Sequence, residues 1–497
     1  MENTLKYNQL ITYTNTVDEM FFALVNPPSY APYQVVKRWL QWANGYDPTW
    51  HNNYIPTHLG RTIIQLLTNK IFDTGIKYEY SGKADKANAI LAWLSDTYSD
   101  ESNFEQAVKQ MTEYGQSSGT ALLKADTDIY GHLIWSAVRQ DRFKTVFSGS
   151  KLVEAETYSA VLDGIFQTQK LILIEKRYYD EKRDPVVKYY IQVVNNQTSS
   201  NQWVLGSQIT SIDNLKGKTQ EYVKAKLGNK QLDTPYPIKM DHLGIYVYKN
   251  TTTSAFLDGL NVGDSSIANA AELLAEYDKA YTLMTIDLAQ ARGQVLLPDD
   301  MLPKVMQGSD NDFYTYLSMV NQLMNQTIFK KIKYSNPEEQ KPVSIQFELR
   351  AQEWTTSLNT QLQEILVRVM ASPSSIAPFL NDGSAKTATE INAIEHNTVN
   401  YINDKRSILK KIVNKALKDI MKYYDKEGSV FVVFNSPGLN NDQQMSEKAI
   451  KEYNAGVRSK RSTIRACNPS WTSQEVDEEL KRLTEEEMPL EDEVKFE

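Results

Sequence analysis

The sequence predicts an α+β protein, in which helical patterns at both ends flank a β-rich middle. Three observations support this class. Apolar residues recur at helical spacing over residues 33–72, while runs of β-branched and aromatic residues fill residues 120–250. Between residues 266 and 424 the pattern is helix, compact insert, helix, Pro-bounded loop and a much longer helix.

The first part of the chain reads as a series of short helices. The aromatic helical pattern over 33–72 is interrupted at Gly45-Tyr-Asp-Pro48, and further helices are predicted at 86–98 and 103–117. Ser102-Asn-Phe-Glu105 has the spacing of a capping box, so the second of these helices should begin there.

The β-rich middle contains several candidate strands bounded by turn-forming residues. The runs that predict strands begin at Thr120, His132, Leu171, Val186 and Leu243. The polar stretch 195–230 is predicted to form loop or short strands.

Helix returns near Ser266 with an apolar stripe that ends near Arg292-Gly293. The insert that follows should open with a strand at Gln294–Pro298, include a helix near 312–325 and close around 345–349. Residues 351–371 then form a second amphipathic helix, which should stop before Pro373.

The long helix should start at a second capping box, Thr387-Ala-Thr-Glu390, and continue without Gly or Pro to Tyr424. At 1.5 Å per residue this helix is about 55 Å long, which outgrows an ordinary globular domain and favours a role in a larger assembly. A strand at 429–434 and a polar helical region follow, with a third capping box at Thr472-Ser-Gln-Glu475 and an acidic tail.

Composition excludes several classes of protein. The chain has 497 residues, 54 basic and 62 acidic side chains and a net charge of −8, which disfavours tight DNA binding by the whole surface. One cysteine, Cys467, and five histidines do not supply a Cys/His zinc cluster. No apolar run has the length of a membrane span and no secretory signal is evident, so an intracellular product is expected.

Catalytic motifs are nearly absent, which disfavours an enzyme and predicts no cofactor, metal or catalytic residue. Lys216-Gly-Lys-Thr219 has the end of a phosphate loop, but Ile212 stands where that loop requires Gly. Three acid pairs could bind a metal, but they are interpreted as turn residues, because turns favour Asp for its backbone hydrogen bonds. The pairs are Asp126/Asp128, Asp299/Asp300 and Asp310/Asp312. His396 has no second His or Cys one helical turn away, so a surface or interface role is favoured.

The order of elements from about residue 55 to 488 resembles the portal proteins of tailed double-stranded DNA phages, most closely those of long-tailed phages of Gram-positive hosts. Local patterns carry the resemblance besides the element order. They are Thr57 to Gly75, Glu113-Tyr-Gly-Gln-Ser-Ser-Gly119, Glu276-Tyr-Asp278, Asn441-Asp-Gln-Gln, Tyr453-Asn-Ala-Gly456, Asn468-Pro469 and Trp471 to Leu480.

The resemblance implies a portal-type division of the chain. The wing would take residues 1–264, the two stem helices 265–292 and 351–372, and the clip 293–350. The tunnel loop would be 373–387, the long wing or crown helix 388–425, and a C-terminal strand and helical crown 426–497. Since the C-terminus is shorter than in some relatives, an extensive crown is not expected.

The resemblance also implies a function. The chain would form a ring of twelve subunits at one capsid vertex, in the virion, after synthesis in the host cytoplasm. DNA would enter through the ring during packaging and leave through it during ejection. The partners would be the terminase large subunit, head-tail adaptor proteins and the major capsid and scaffold proteins, with no membrane and no ATPase activity in this chain.

Two sets of residues are candidates for the channel. Position in the resemblance, together with small or polar side chains and a single cation, points to tunnel-loop residues Ser374, Ser375, Asn381, Gly383, Ser384 and Lys386. The first stem helix carries four acids, here called the stem acids: Glu272, Glu276, Asp278 and Asp287. These acids could face the channel, although a solvated helix face explains them equally well.

Two other classes remain open from the sequence. A different ring-forming head or tail structural protein would share the missing motifs and the helical ends. A metal-dependent DNA-processing enzyme would need acids that converge on a metal ion.

Overall fold

The computed structural model describes residues 31–44, 54–73, 75–128, 130–161, 169–197, 202–215, 217–228, 230–257, 261–290, 294–298, 328–332, 343–345, 350–371, 388–434, 442–468, 471 and 473–486. Both helices and sheets are present, so the α+β class is confirmed. The described residues fall into two compact units, the first drawn from 1–44, 60–269 and 369–497 and the second from 45–59 and 270–368.

The first unit begins with helices and a short strand. They are α1 (Ala31–Ala43), α2 (Leu59–Ile71), β1 (Lys77–Ser81), α3 (Ala84–Ala92), α4 (Ser99–Ser102) and α5 (Phe104–Ser118). A π-helical turn, Trp93–Tyr98, joins α3 to α4. The helical reading of 86–98 is therefore confirmed, with an irregular second half.

The prediction that Ser102 caps the start of α5 is wrong. Ser102 ends the short helix α4, and Asn103 occupies the N-cap with φ of 60° and no side-chain cap bond. Glu105 accepts a hydrogen bond from the Tyr78 hydroxyl at 2.8 Å. A capping box needs an extended N-cap residue, and the direct junction of α4 with α5 removes that conformation.

The β-rich middle forms two sheets. Its strands are β2 (Thr120–Thr127), β3 (Leu133–Arg139), β4 (Phe143–Ser148), β5 (Lys151–Val161), β6 (Gln169–Tyr179), β7 (Pro185–Gln197), β8 (Gln202–Ile209), β9 (Tyr236–Pro237) and β10 (Ile245–Lys249). Strands β4 to β8 form an antiparallel meander, with β9 beside β7, while β10, β2 and β3 form a three-stranded antiparallel sheet. The prediction of a β-rich segment is confirmed.

Helix α6 (Gly217–Leu227) lies in the stretch predicted as loop or short strands. Its Val223 and Leu227 are buried against Leu173 and Ile191 of the meander. Because few of its residues are apolar, the helix is stabilised mainly by this tertiary contact, which sequence periodicity does not reveal.

The long helix α9 (Ala388–Tyr423) has 36 residues and joins the main core of the first unit. Its stripe from Ile402 to Ile420 is almost fully buried, as predicted, with exposed fractions of 0–3 % for the apolar members Ile402, Leu409, Val413, Ala416, Leu417 and Ile420. Strand β14 (Ser429–Val433) follows and pairs antiparallel with β1. Helices α10 (Asp442–Asn454), α11 (Lys460–Cys467) and α12 (Ser473–Glu486) complete this unit.

The second unit contains two helices and a mixed sheet. Helices α7 (Ala271–Gln290) and α8 (Ala351–Arg368) were both predicted, and they pack against each other. Strand β11 (Gln294–Pro298) opens the insert between them. Strand β11 pairs in parallel with β12 (Ile328–Ile332) and antiparallel with β13 (Val343–Ile345). The predicted helix near 312–325 and the capping residues Thr387 and Thr472 lie outside the described residues.

No helix within the described ranges is both long enough and apolar enough to cross a membrane.

Candidate functional site

The stem acids divide into two groups on α7. Glu272 and Glu276 are exposed, and the Glu276 carboxylate lies 3.6 Å from Lys279 Nζ. Asp278 and Asp287 are more enclosed and bind other parts of the second unit. Glu272 and Glu276 therefore keep carboxylates available to solvent or a partner, whereas the two aspartates have structural contacts.

Asp278 fastens residues 54–58 to α7. Its Oδ1 accepts hydrogen bonds from Thr57 N at 3.0 Å and from Thr57 Oγ1 at 2.5 Å. One turn later, Thr282 Oγ1 accepts from Ile55 N at 2.8 Å. Burial raises the pKa of Asp278, and the two bonds from Thr57 oppose that rise without cancelling it.

Asp287 joins α7 to the start of α8. Its Oδ2 accepts from Trp354 Nε1 at 2.8 Å and its Oδ1 from Arg350 at 3.1 Å. The hydrogen bonds from Trp354 and then Arg350 lower the pKa of Asp287, so the carboxylate stays ionised. These two aspartates fix local geometry at opposite parts of α7.

The tunnel-loop candidates Ser374, Ser375, Asn381, Gly383, Ser384 and Lys386 lie outside the described residues. The first residue described after them is Ala388, where α9 begins. Helix α9 is thus the first described element after the predicted loop.

Two consecutive buried cations anchor the middle of α9. Lys405 Nζ donates to the carbonyl of Asn250, at the end of β10, and lies 4.7 Å from the centroid of the Tyr401 ring. Arg406 donates to the carbonyls of Ile71 at 2.9 Å and Lys70 at 3.3 Å. These carbonyls end α2, so the guanidinium caps that helix.

Lys405 has no carboxylate partner within the described residues, and only 6 % of its surface is exposed. Burial lowers its pKa to about 8, because desolvation penalises the ammonium more than the nearby Asp404 stabilises it. The long helix thus contains a buried amine that is partly neutral just above physiological pH.

The carboxyl-terminal part of α9 is tied to the region around β10. His242 Nδ1 accepts from Gly244 N at 3.0 Å, so a neutral His242 ring carries its proton on Nε2, which lies 2.8 Å from Asp419. The Tyr246 hydroxyl donates to the same Asp419 oxygen at 2.6 Å. Burial alone would raise the pKa of Asp419, but these two hydrogen bonds lower it.

A buried charge network joins the two sheets and was not predicted, and the interpretation of Asp126 as a turn residue is wrong, because Asp126 lies on β2 and pairs with Lys124 and Arg177. Arg177 on β6 is 3 % exposed and donates to Glu175 at 2.6 Å, to Asp126 and to the carbonyls of Ala125 and Leu243. Lys124 pairs with Glu175 at 2.7 Å. Charged residues two positions apart within otherwise apolar strands, Lys124/Asp126 and Glu175/Arg177, were the available signal, because such pairs share one sheet face.

The other groups noted in the sequence have ordinary structural roles. Asp128 Oδ1 accepts from the backbone of Tyr130 and His132, which is the bonding of a turn aspartate. The exposed His396 ring lies 3.0 Å from the Asn400 side chain. Gly217 begins α6 with φ of 59°. Asp299, Asp300, Asp310 and Asp312 lie outside the described residues.

No protein-family model and no curated protein matches the chain. Among solved structures, a chain described as "Neck of native GTA particle computed with C12 symmetry" is similar, with a TM-score of 0.42 and 11% sequence identity. The match covers 90% of this chain and 97% of that chain, and its TM-score and identity describe a distant similarity.

Proposed function

We propose that this chain is a phage portal protein, the subunit of a ring through which double-stranded DNA enters and leaves the capsid. One observation carries the proposal. Helix α7, a small sheet, helix α8 and the 36-residue helix α9 follow one another along the chain. The portal family, which this chain resembles, has a stem helix, a clip, a second stem helix and a long helix in the same order. In that family the tunnel loop lies between the second stem helix and the long helix.

Charge supports a channel that passes DNA without retaining it. Each phosphate neutralised by a fixed cation adds salt-dependent affinity and would slow sliding. The chain has a net charge of −8, and α7 exposes Glu272 and Glu276 on its surface. Acidic side chains along a channel would keep the duplex mobile.

A portal ring implies a particular kind of subunit interface, a location and a set of partners. A closed ring needs a heterologous interface, in which each subunit contacts its neighbour through two different faces. The proposed ring has twelve subunits and is located in the virion. Terminase and head-tail adaptors would dock at 293–350, and major capsid and scaffold proteins would surround the ring. This chain would itself catalyse no reaction.

Electron microscopy of the purified protein tests the proposal directly. Class averages should show a ring of about a dozen subunits with a central hole wide enough for a duplex. A monomer or two-fold dimer, also after mixing with scaffold protein, would count against it. A ring without a duplex-sized hole would favour another head or tail structural protein, and metal-dependent cleavage of plasmid DNA would favour the enzyme.

A further inference from the structure

A groove in the first unit lies between β10, the start of β5 and one face of α9. It has a volume of about 550 Å³ and is lined by Lys151, Lys411 and Lys415 together with apolar side chains. We call it the lysine groove. Its apolar members include Leu152, Ile245, Val247 and Ile412.

The lysine groove is positively charged in an acidic protein. Lys151, Lys411 and Lys415 are exposed, and no Asp or Glu is among the described residues that line it. The nearest carboxylate on α9, Asp419, already accepts hydrogen bonds from His242 and Tyr246. Lys415 interacts electrostatically with Asp419, but none of the three ammonium groups has a hydrogen-bonded carboxylate among the described residues.

Aromatic rings hold two of these ammonium groups in place. Lys151 Nζ lies 5.1 Å from the centroid of the Tyr179 ring, and Lys415 Nζ lies 5.6 Å from that of Tyr246. These distances are those of cation-π contacts. Because the lysines cover these ring faces, the same faces are not available for stacking by unpaired bases, which disfavours single-stranded nucleic acid as the occupant.

The apolar floor distinguishes between the remaining anionic partners. Ile245 is buried, while Leu152, Val247 and Ile412 are half-buried and remain partly accessible. Covering such area is favourable only with apolar groups, at roughly 25 cal/mol per Å². A duplex backbone would pair with the lysines but leave the apolar residues of the groove in water. A helix that carries carboxylates beside leucines would pair with the lysines and also cover the apolar residues.

We propose that the lysine groove binds an acidic amphipathic helix of another protein. The apolar residues of that helix would cover Leu152, Val247 and Ile412, and its carboxylates would pair with Lys151, Lys411 and Lys415. The pairing is complementary in charge and in polarity. This docking site goes beyond the proposed channel and does not require a ring.

The test measures binding of a labelled peptide to the full-length protein by fluorescence anisotropy. The probe is an 18-residue peptide with Leu at i, i+3, i+4 and i+7, Glu beside that apolar stripe and Ala at the remaining positions, which favours the helix. We expect the variant K151E/K411E/K415E to bind this peptide at least roughly thirtyfold more weakly, since three charge pairs become repulsive. The variant K109E/K224E/K410E, which changes three exposed lysines outside the groove, makes the same change in net charge and should bind nearly as well as the natural chain.

Four results would overturn the proposal. They are no measurable peptide binding, equal loss of binding in both triple variants, equally tight binding of a poly-glutamate of the same length, and tighter groove-dependent binding of a 20-base-pair duplex. Thermal melting of each variant verifies folding. Since the ring is scored separately by electron microscopy, failure of the groove proposal leaves the channel proposal standing, and the reverse also holds.

Discussion

Lys405 is a buried amine on the helix that organises the first unit, and its environment makes the stability of that unit depend on pH. The ammonium has a carbonyl and an aromatic ring as neighbours and no carboxylate contact in the described part of the chain. Its folded-state pKa of about 8 lies below the value of an exposed lysine, so the folded state releases the proton more readily than the unfolded state.

The substitution Lys405→Met should remove this pH dependence. Between the folded pKa and the unfolded value the unfolded chain binds more protons, so the stability of the natural chain rises with pH. Relative to Lys405→Met, the natural chain should gain about 3 kcal/mol of unfolding free energy from pH 8 to 10.5. Denaturant unfolding at several pH values measures the difference.

Lys410→Met is the matched control, because Lys410 is exposed on the same helix. A difference between Lys405→Met and the natural chain that stays constant from pH 8 to 10.5 would contradict the assignment, whatever the absolute stabilities are.

Arg177 shows what sequence reasoning misses at the residue scale. Periodicity predicted a strand around residue 175, but the Arg177 partners Asp126, Ala125 and Leu243 come from distant positions. Charged residues two positions apart in a strand share a sheet face, but only the packing of the two sheets makes that face an interior one.

At the scale of elements, Thr57 and Asp278 connect segments separated by 221 residues in sequence. Thr57→Val should weaken this connection, because Thr57 Oγ1 donates to a carboxylate that is partly buried. Loss of such a bond typically costs about 1.5–3 kcal/mol. Hydrogen exchange by mass spectrometry should show faster exchange in residues 54–58 and in α7. The pKa of Asp278 should also rise further, because the hydrogen bond from Thr57 Oγ1 that opposes the effect of burial is lost.

Thr285→Val provides the control for that change. Thr285 Oγ1 donates only to the carbonyl of Tyr281 in its own helix, so exchange in residues 54–58 should stay unchanged. Thr57→Ser keeps a hydroxyl and should exchange like the natural chain. Equal exchange of residues 54–58 in Thr57→Val and the natural chain would remove Asp278 as the fastening group.

Elements with strong local signals were predictable, and those that depend on distant partners were not. The long helix follows from its apolar stripe and from the absence of Gly and Pro before Gly428. The pairing of Lys77–Ser81 with Ser429–Val433 joins strands about 350 residues apart, and no local pattern specifies it. The stem acids were found as a group, but their division into exposed glutamates and bonded aspartates depends on Thr57, Arg350 and Trp354.

At the scale of the whole molecule, the anchors of α9 bear on the proposed channel. Within the first unit, Lys405 and Arg406 attach the helix to the ends of β10 and α2, and Asp419 attaches it near β10. These contacts lie from the middle of the helix onward and hold that part against the core of the first unit. The proposed tunnel loop precedes this helix in the chain, so the core of the first unit holds the element that follows the loop.

The final prediction concerns Lys386, the single cation of the predicted tunnel loop. If each subunit of a ring contributes one copy, Lys386→Ala removes as many positive charges from the channel as there are subunits. The substitution removes the ammonium group that would contact a phosphate as a point charge. In phage carrying the variant we expect a several-fold fall in DNA packaged per particle, because this loose phosphate contact would be the loop's hold on a duplex that the acidic channel otherwise leaves free, while electron microscopy shows unchanged rings. Lys386→Arg keeps the charge and should package normally. If packaging is unchanged in Lys386→Ala, and also after deletion of residues 381–384, the loop does not act on DNA, even where the ring itself is observed.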